Sequence, residues 1–200
     1  MEEILYEYEG NLYVNLTNQC PCSCTFCIRS QQEGLGTADS LWLDHDPTPD
    51  EVLSAFAARD LSQYGEVIFC GYGEPFCALD NLLAACRYIR SVSPVKTRVN
   101  TNGLGDLICQ KPTAPLLEGL LDTVSISLNA PDADAYAALS RPSYGPAAFD
   151  AMLRFAADCK RYVSSVKFSV VDVITPRQID ACRTLAERMG IPLRVRHWIG

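Results

Sequence analysis

Cys20-Pro21-Cys22-Ser23-Cys24-Thr25-Phe26-Cys27 is the stretch whose reading decides the fold. Taking Cys20, Cys24 and Cys27 gives C-x-x-x-C-x-x-C, three thiolates on one short loop that can turn toward a single compact inorganic core. A 4Fe-4S cluster normally takes four cysteine thiolates, so three leave one iron with an open position. An open position suggests chemistry. A bare three-cysteine spacing also suits a zinc knuckle or a redox pair, and Cys22 can replace Cys20 in a different ligand set.

On either side of this loop the chain alternates strand and helix signals. Ile4 to Tyr8 and Leu12 to Leu16 are β-prone runs around Glu9-Gly10-Asn11, which predicts a short opening hairpin whose second strand delivers the cysteines. Residues 28–47 are polar and aperiodic apart from Leu41-Trp42-Leu43, and so long a loop is usually functional. Two readings stay open: a lid with Trp42 on the substrate, or a loop that Trp42 anchors. Thr48-Pro49-Asp50-Glu51 is a capped helix start and predicts a helix to about Tyr64. Glu66 to Cys70 reads as a strand that ends in Gly71-Tyr72-Gly73-Glu74-Pro75.

A one-sided helix follows over Asp80 to Val92, then a strand over Val95 to Val99 leading into Asn100-Thr101-Asn102-Gly103, asparagines that suit either a turn or a ligand. Thr113 to Leu121 is a Pro-bounded helix candidate. Thr123 to Asn129 alternates Val124, Ile126 and Leu128 with Ser125, Ser127 and Asn129, so an aliphatic face meets helices while a polar face meets a ligand, water or its own neighbours. A helix from Asp132 to Leu139 is interrupted at Pro142-Ser143-Tyr144-Gly145-Pro146 and resumes through Phe149 to Ala156. Val166 to Ile174 is a strand, Thr175-Pro176-Arg177-Gln178 a second capped start for a helix that Gly190 ends, and Leu193 to Arg196 a last strand. On that strand Arg196 can serve as a bidentate carboxylate donor, or be solvated like His197 beside it.

Two hundred residues suit one domain, 1–200, with a substantial core. The net charge is −7 and there is no basic tract, so a nucleic-acid backbone is not an expected partner. No apolar run is long enough for a bilayer, and Met1-Glu2-Glu3 lacks the positive region of a signal peptide, which places the chain in the cytoplasm with no membrane partner. In that compartment the ten cysteines are expected to be reduced, with those outside the loop acting as small apolar residues.

The cysteine spacing with Phe26 before Cys27, the Gly71-Tyr72-Gly73-Glu74-Pro75 turn, the Asn100-Thr101-Asn102-Gly103 strand end and the polar fourth strand, in this order, resemble the radical S-adenosylmethionine (SAM) superfamily. The resemblance implies an α/β fold, an open partial (β/α)6 TIM-like barrel with mostly parallel strands; a closed eight-unit barrel takes ~250 residues. It implies a 4Fe-4S cluster on Cys20, Cys24 and Cys27, and SAM held by Gly71, Gly73 and Glu74 at its amino group. Ser127, Asn129, Asn100, Asn102 and Arg196 would hold its polar parts, with Phe26 and Val173 at adenine. Reductive cleavage of SAM to a 5′-deoxyadenosyl radical, hydrogen abstraction from an unidentified substrate, and flavodoxin or ferredoxin as electron donor are implied with it.

More narrowly, Leu41-Trp42-Leu43, Phe69 to Pro75, Ser127 to Asp132 and Val171-Asp172-Val173 look like the small TatD-associated radical SAM group, which implies association with a TatD-type nuclease. The alternatives are an enzyme that makes a glycyl radical in a protein, an enzyme that modifies a deazapurine-type small molecule, and a metal-binding interaction module without turnover.

Overall fold

The computed structural model describes residues 4–198, so the Met1-Glu2-Glu3 triplet lies outside it. One seven-stranded sheet runs through the chain in sequence order: β1 (Leu5–Tyr8), β2 (Asn11–Val14), β3 (Glu66–Phe69), β4 (Lys96–Thr101), β5 (Thr123–Ser127), β6 (Ser165–Val171) and β7 (Leu193–Arg196). β1 pairs antiparallel with β2 in the expected hairpin, and every later neighbour is parallel. Among the described residues β1 and β7 are edges, so the sheet is open. Crossovers between parallel strands carry helices α1 (Pro49–Ala57), α2 (Leu79–Val92), α3 (Gly105–Cys109), α4 (Ala133–Ser140), α5 (Ala147–Cys159) and α6 (Pro176–Met189).

The alternation in β5 sorts its two faces as its sequence predicts. Val124, Ile126 and Leu128 are fully buried in the helix-side core, while Ser125 and Ser127 are half-buried on the other face. Each such aliphatic burial is worth roughly 1.5–3 kcal/mol. Both capping boxes form, with Thr48 accepting from the Glu51 amide and Thr175 from the Gln178 amide.

Two helix expectations need correction. The helix expected to reach Tyr64 stops at Ala57, because Asp60 caps a separate 3-10 turn at Leu61–Gln63 by accepting from the Ser62 amide. Thr113 to Leu121 holds only a 3-10 turn, Ala114–Leu117, flanked by proline and by Gly119 at φ +70°. The helix of that region is instead α3, where Asp106 reaches forward to accept from the Thr113 amide and hydroxyl. The break expected at residues 142–146 is present between α4 and α5.

Candidate active site at the cysteine loop

Past the last residue of β2 the backbone runs through Asn15-Leu16-Thr17-Asn18-Gln19 to Cys20, and the polar side chains of this stem pin residues 28–47. Asn15 Nδ2 donates to the Leu41 carbonyl at 2.7 Å, Asn18 bonds Leu43 in both directions, and Asp46 accepts from Thr17 at 2.7 Å and from Gln19. Leu41 and Leu43 are buried, whereas Trp42 is 46% exposed and edge-on to Tyr72 at 5.0 Å. The flanking leucines and the polar stem anchor this segment, and Trp42 remains at the surface.

The cysteine loop is clamped from its far side by main-chain bonds. Ser23 N donates to the Ser140 carbonyl at 3.1 Å, Thr25 N to Leu139 O at 3.0 Å and Ser143 N to Pro21 O at 2.8 Å, so the end of α4 and the residues after it grip the loop. Ser140 also receives Asn129 Nδ2 at its hydroxyl and Cys24 Sγ at its carbonyl, 3.7 Å away. Nothing in the composition of residues 139–143 announces this clamp beyond the helix break at Pro142.

The thiols of Cys20, Cys22 and Cys24 meet. Buried Cys22 hydrogen-bonds both neighbours, which lowers Cys20 to about 6 and moves Cys24 down as well. These two bonds, with burial, push Cys22 itself up. Burial raises Cys27, which lies within electrostatic reach of Cys20 and Cys24. Phe26 is half-buried on the same loop. Among the described residues no three His, Cys, Asp or Glu side chains form a ready ligand set for one metal ion.

Gly71-Tyr72-Gly73-Glu74 packs against the stem, and its glycines serve protein contacts. A Cβ at Gly73 would sit 2.1 Å from Thr17 O, and one at Gly71 would sit 2.0 Å from Asn15 Oδ1. Glu74 is buried at 4% exposure, and its carboxylate accepts from Thr101 Oγ1 at 2.7 Å, the Asn102 amide at 2.7 Å and the Phe76 amide at 3.3 Å. This ties the turn after β3 to the end of β4. Asn102 Oδ1 accepts from the Leu104 amide, as a turn former does, while its Nδ2 points at Cys22 Sγ, 3.7 Å away.

Burial drives the Glu74 carboxyl up to about 8, against the lowering effect of its hydrogen bonds. The folded protein therefore holds this proton more tightly than the unfolded chain, whose carboxyl titrates near 4.5. The associated stability is complete below about 4.5 and lost as pH rises through about 8. Urea unfolding of wild type should weaken over that window by a few kcal/mol, and Glu74→Gln should remove the slope. An equal slope in both proteins would refute the assignment.

The remaining expected residues divide into two groups. Asn129 (φ +59°) lies just past β5, buried beside Ser140, and Val173 lines a cleft of about 320 Å³ with Thr25, Ala130, Leu139 and Gln178. Asn100 faces Cys70, and Ser127 pairs in register with Ser169 on the concave face of the sheet, where Arg196 also lies. His197 is at the rim, bonded to Asp172 at 2.7 Å. A cavity of about 420 Å³ between α2 and α3, lined by Cys77 and Cys109, shares only Thr17 with the stem.

Donor chemistry decides whether these residues suit a cluster and SAM. Thiolate is the metal-binding form of cysteine, and two thiols are already shifted toward it. Asn100 Oδ1 and Asn129 Oδ1 are buried acceptors without a partner, at strand ends where a polar ligand would satisfy them. The residues fit.

A mostly parallel sheet gathers the cysteine loop and the buried Glu74 turn at its C-terminal rim, an arrangement that suits a class of protein holding a metal cluster beside a second, polar cofactor. The chain belongs to the Radical SAM superfamily, whose family model matches residues 14–184. Members of this superfamily are enzymes that use a 4Fe-4S cluster and SAM and that need a reductant and a substrate.

Among curated relatives, a GTP 3′,8-cyclase of Corynebacterium glutamicum is 33% identical over 139 residues, covering 66% of this chain and 34% of that protein. A probable dual-specificity RNA methyltransferase RlmN of Mycolicibacterium vanbaalenii is 28% identical over 144 residues, 66% of this chain and 37% of its own length. The match thus spans little more than a third of either relative. Among solved structures, Streptococcus suis SuiB bound to S-adenosylmethionine superposes with TM-score 0.71 at 16% identity, over 94% of this chain and 40% of that one. An anSMEcpe structure with bound AdoMet gives 0.67 at 20% identity, over 94% and 50%. Both likenesses concern the fold. No helix among the described residues is long and apolar enough to cross a membrane.

Proposed function

We propose that this chain is the radical SAM core of an enzyme, one domain over residues 1–200 built as a partial (β/α)6 barrel, acting on an unidentified substrate. The observation that carries this reading is the contact between the two motifs. Gly73 abuts the stem at Thr17 and Gln19, and Asn102, held through its amide by Glu74, reaches Cys22.

Cys20, Cys24 and Cys27 would hold the cluster. When bound, the cluster supplies the electron that splits SAM into methionine and a 5′-deoxyadenosyl radical, which takes hydrogen from the substrate. The chain's residues supply position, charge and shelter. Glu74, protonated up to about 8 in its buried setting, offers its full charge to an ammonium group that displaces that proton. The free carbonyl oxygens of Asn100 and Asn129 accept from a ligand's N–H or O–H groups. The cleft that Val173 lines with Thr25, the loop residue before Phe26, suits a flat ring.

Flavodoxin or ferredoxin is the proposed electron donor. Ten free cysteines agree with a reducing cytoplasm. The Leu41-Trp42-Leu43 and Val171-Asp172-Val173 likenesses support membership of the TatD-associated group and partnership with a TatD-type nuclease; co-purification of such a nuclease would test that narrower placement. The main test is anaerobic reconstitution with iron and sulfide, followed by SAM and a strong reductant. We expect 5′-deoxyadenosine above a cluster-free control. A fully loaded protein that binds zinc equally well and neither binds nor cleaves SAM would be an interaction module.

A further inference from the structure

We propose that the concave face of the sheet binds the phosphate or carboxylate group of a small anionic substrate through Arg98, Lys167, Arg194 and Arg196. This rests on the radical SAM reading and gives its unidentified substrate a chemical class.

Strand register sets the face. Val99, Val124, Ile126, Phe168 and Val170 point into the helix-side core, so the residues that alternate with them point the other way. Ser125 stands opposite Lys167, Ser169 opposite Arg194, and Val171 opposite Arg196, with Arg98 one strand further along beside Thr123. Arg196 lies within electrostatic reach of Cys70, Arg194, Arg98 and Tyr13.

The charges on this face do not balance. Its carboxylate is Glu66, which pairs with Arg98 at 3.0 Å. At the rim, Asp172 is taken by His197 and the Trp198 amide. Among the described residues no carboxylate pairs with Lys167, Arg194 or Arg196, and Arg196 Nε is buried without a partner. Guanidinium keeps its proton, so these groups repel one another until an anion arrives. A planar oxyanion group fits a guanidinium with two parallel hydrogen bonds. Ser125, Ser127 and Ser169 stand on the same face and add hydroxyl donors. Cys70 directly precedes Gly71, so a substrate anchored here extends toward the rim that carries the cysteine loop.

The test is calorimetric titration of the reconstituted, anaerobic protein with pyrophosphate and, separately, with citrate. We expect saturable one-site binding that weakens between about 0.1 M and about 1 M salt. Arg194→Gln and Arg196→Gln should each weaken it by about tenfold or more, while Arg183→Gln on the exposed side of α6 should not. Preference for pyrophosphate identifies a phosphate and preference for citrate a carboxylate. No saturation with either, or equal weakening in all three variants, would overturn the proposal. So would competition by SAM, since these arginines would then serve SAM's own carboxylate. SAM binding and cleavage measured on the same preparation separate the two readings: cleavage without anion binding removes only this one, and anion binding with neither SAM binding nor cleavage removes the proposed enzyme function.

Discussion

Cys24→Ala should yield a protein that folds normally yet forms no 5′-deoxyadenosine. Cys24 is half-buried, its thiol is shifted toward thiolate by the Cys22 hydrogen bond, and it stands on the Ser140 carbonyl, where the loop has a fixed place for it. Losing one of three ligands leaves the cluster with too few thiolates to be retained. The loop itself survives, because Ser23, Thr25 and Ser143 hold it by backbone atoms that the substitution does not touch. Iron content and the visible absorption of the reconstituted variant, read beside its circular dichroism, check both halves. Cys22→Ala should keep the cluster. Retained SAM cleavage in Cys24→Ala, or complete cluster loss in Cys22→Ala with normal binding in Cys20→Ala, would reassign the ligands.

Gly73→Ala should be the most damaging change outside the cysteines. The added Cβ would lie 2.1 Å from Thr17 O and 2.8 Å from Gln19 O, backbone atoms with no side chain to swing aside. Relief requires the turn to leave the stem, which breaks the 2.7 Å bond from the Glu74 amide to Gln19 O. A cost on the order of 3 kcal/mol is expected for overpacking so tight a contact, together with loss of measurable SAM binding as the turn and the cysteine loop separate. Urea denaturation and a SAM titration provide the readings. Wild-type values in both would show that the contact is not needed. Gly71→Ala meets the Asn15 side chain instead, which can yield only by giving up its bond to Leu41.

Local pattern carried much of the fold. β5 was legible because alternating residues give one buried and one polar face, and α1 and α6 because Thr-Pro-x-Glu/Gln is a complete capping instruction within four residues. The misplaced boundaries depended on side chains reaching across turns, Asp60 onto Ser62 and Asp106 onto Thr113, which periodicity does not register. In the site, the motif residues were recognisable but their reasons were not. Gly71 and Gly73 were expected at SAM's amino group, and their close packing against the stem was not legible. Glu74 was placed at SAM's amino group with no sign that burial would hold it protonated to about 8. Ser140, Asn15 and Thr17 went unseen because their partners lie far away in sequence. Net charge is silent in the same way, since a sum of −7 does not record that Arg98, Lys167, Arg194 and Arg196 share one face.

The grip of α4 on the cysteine loop also bears on the life of the protein in air. Main-chain bonds to residues 139–143 hold the loop at Pro21, Ser23 and Thr25, so part of its ordering cost is met when the chain folds. A loop held in this way should keep its shape when oxygen strips a cluster from it, so that reloading with iron and sulfide restores the cluster without refolding the chain.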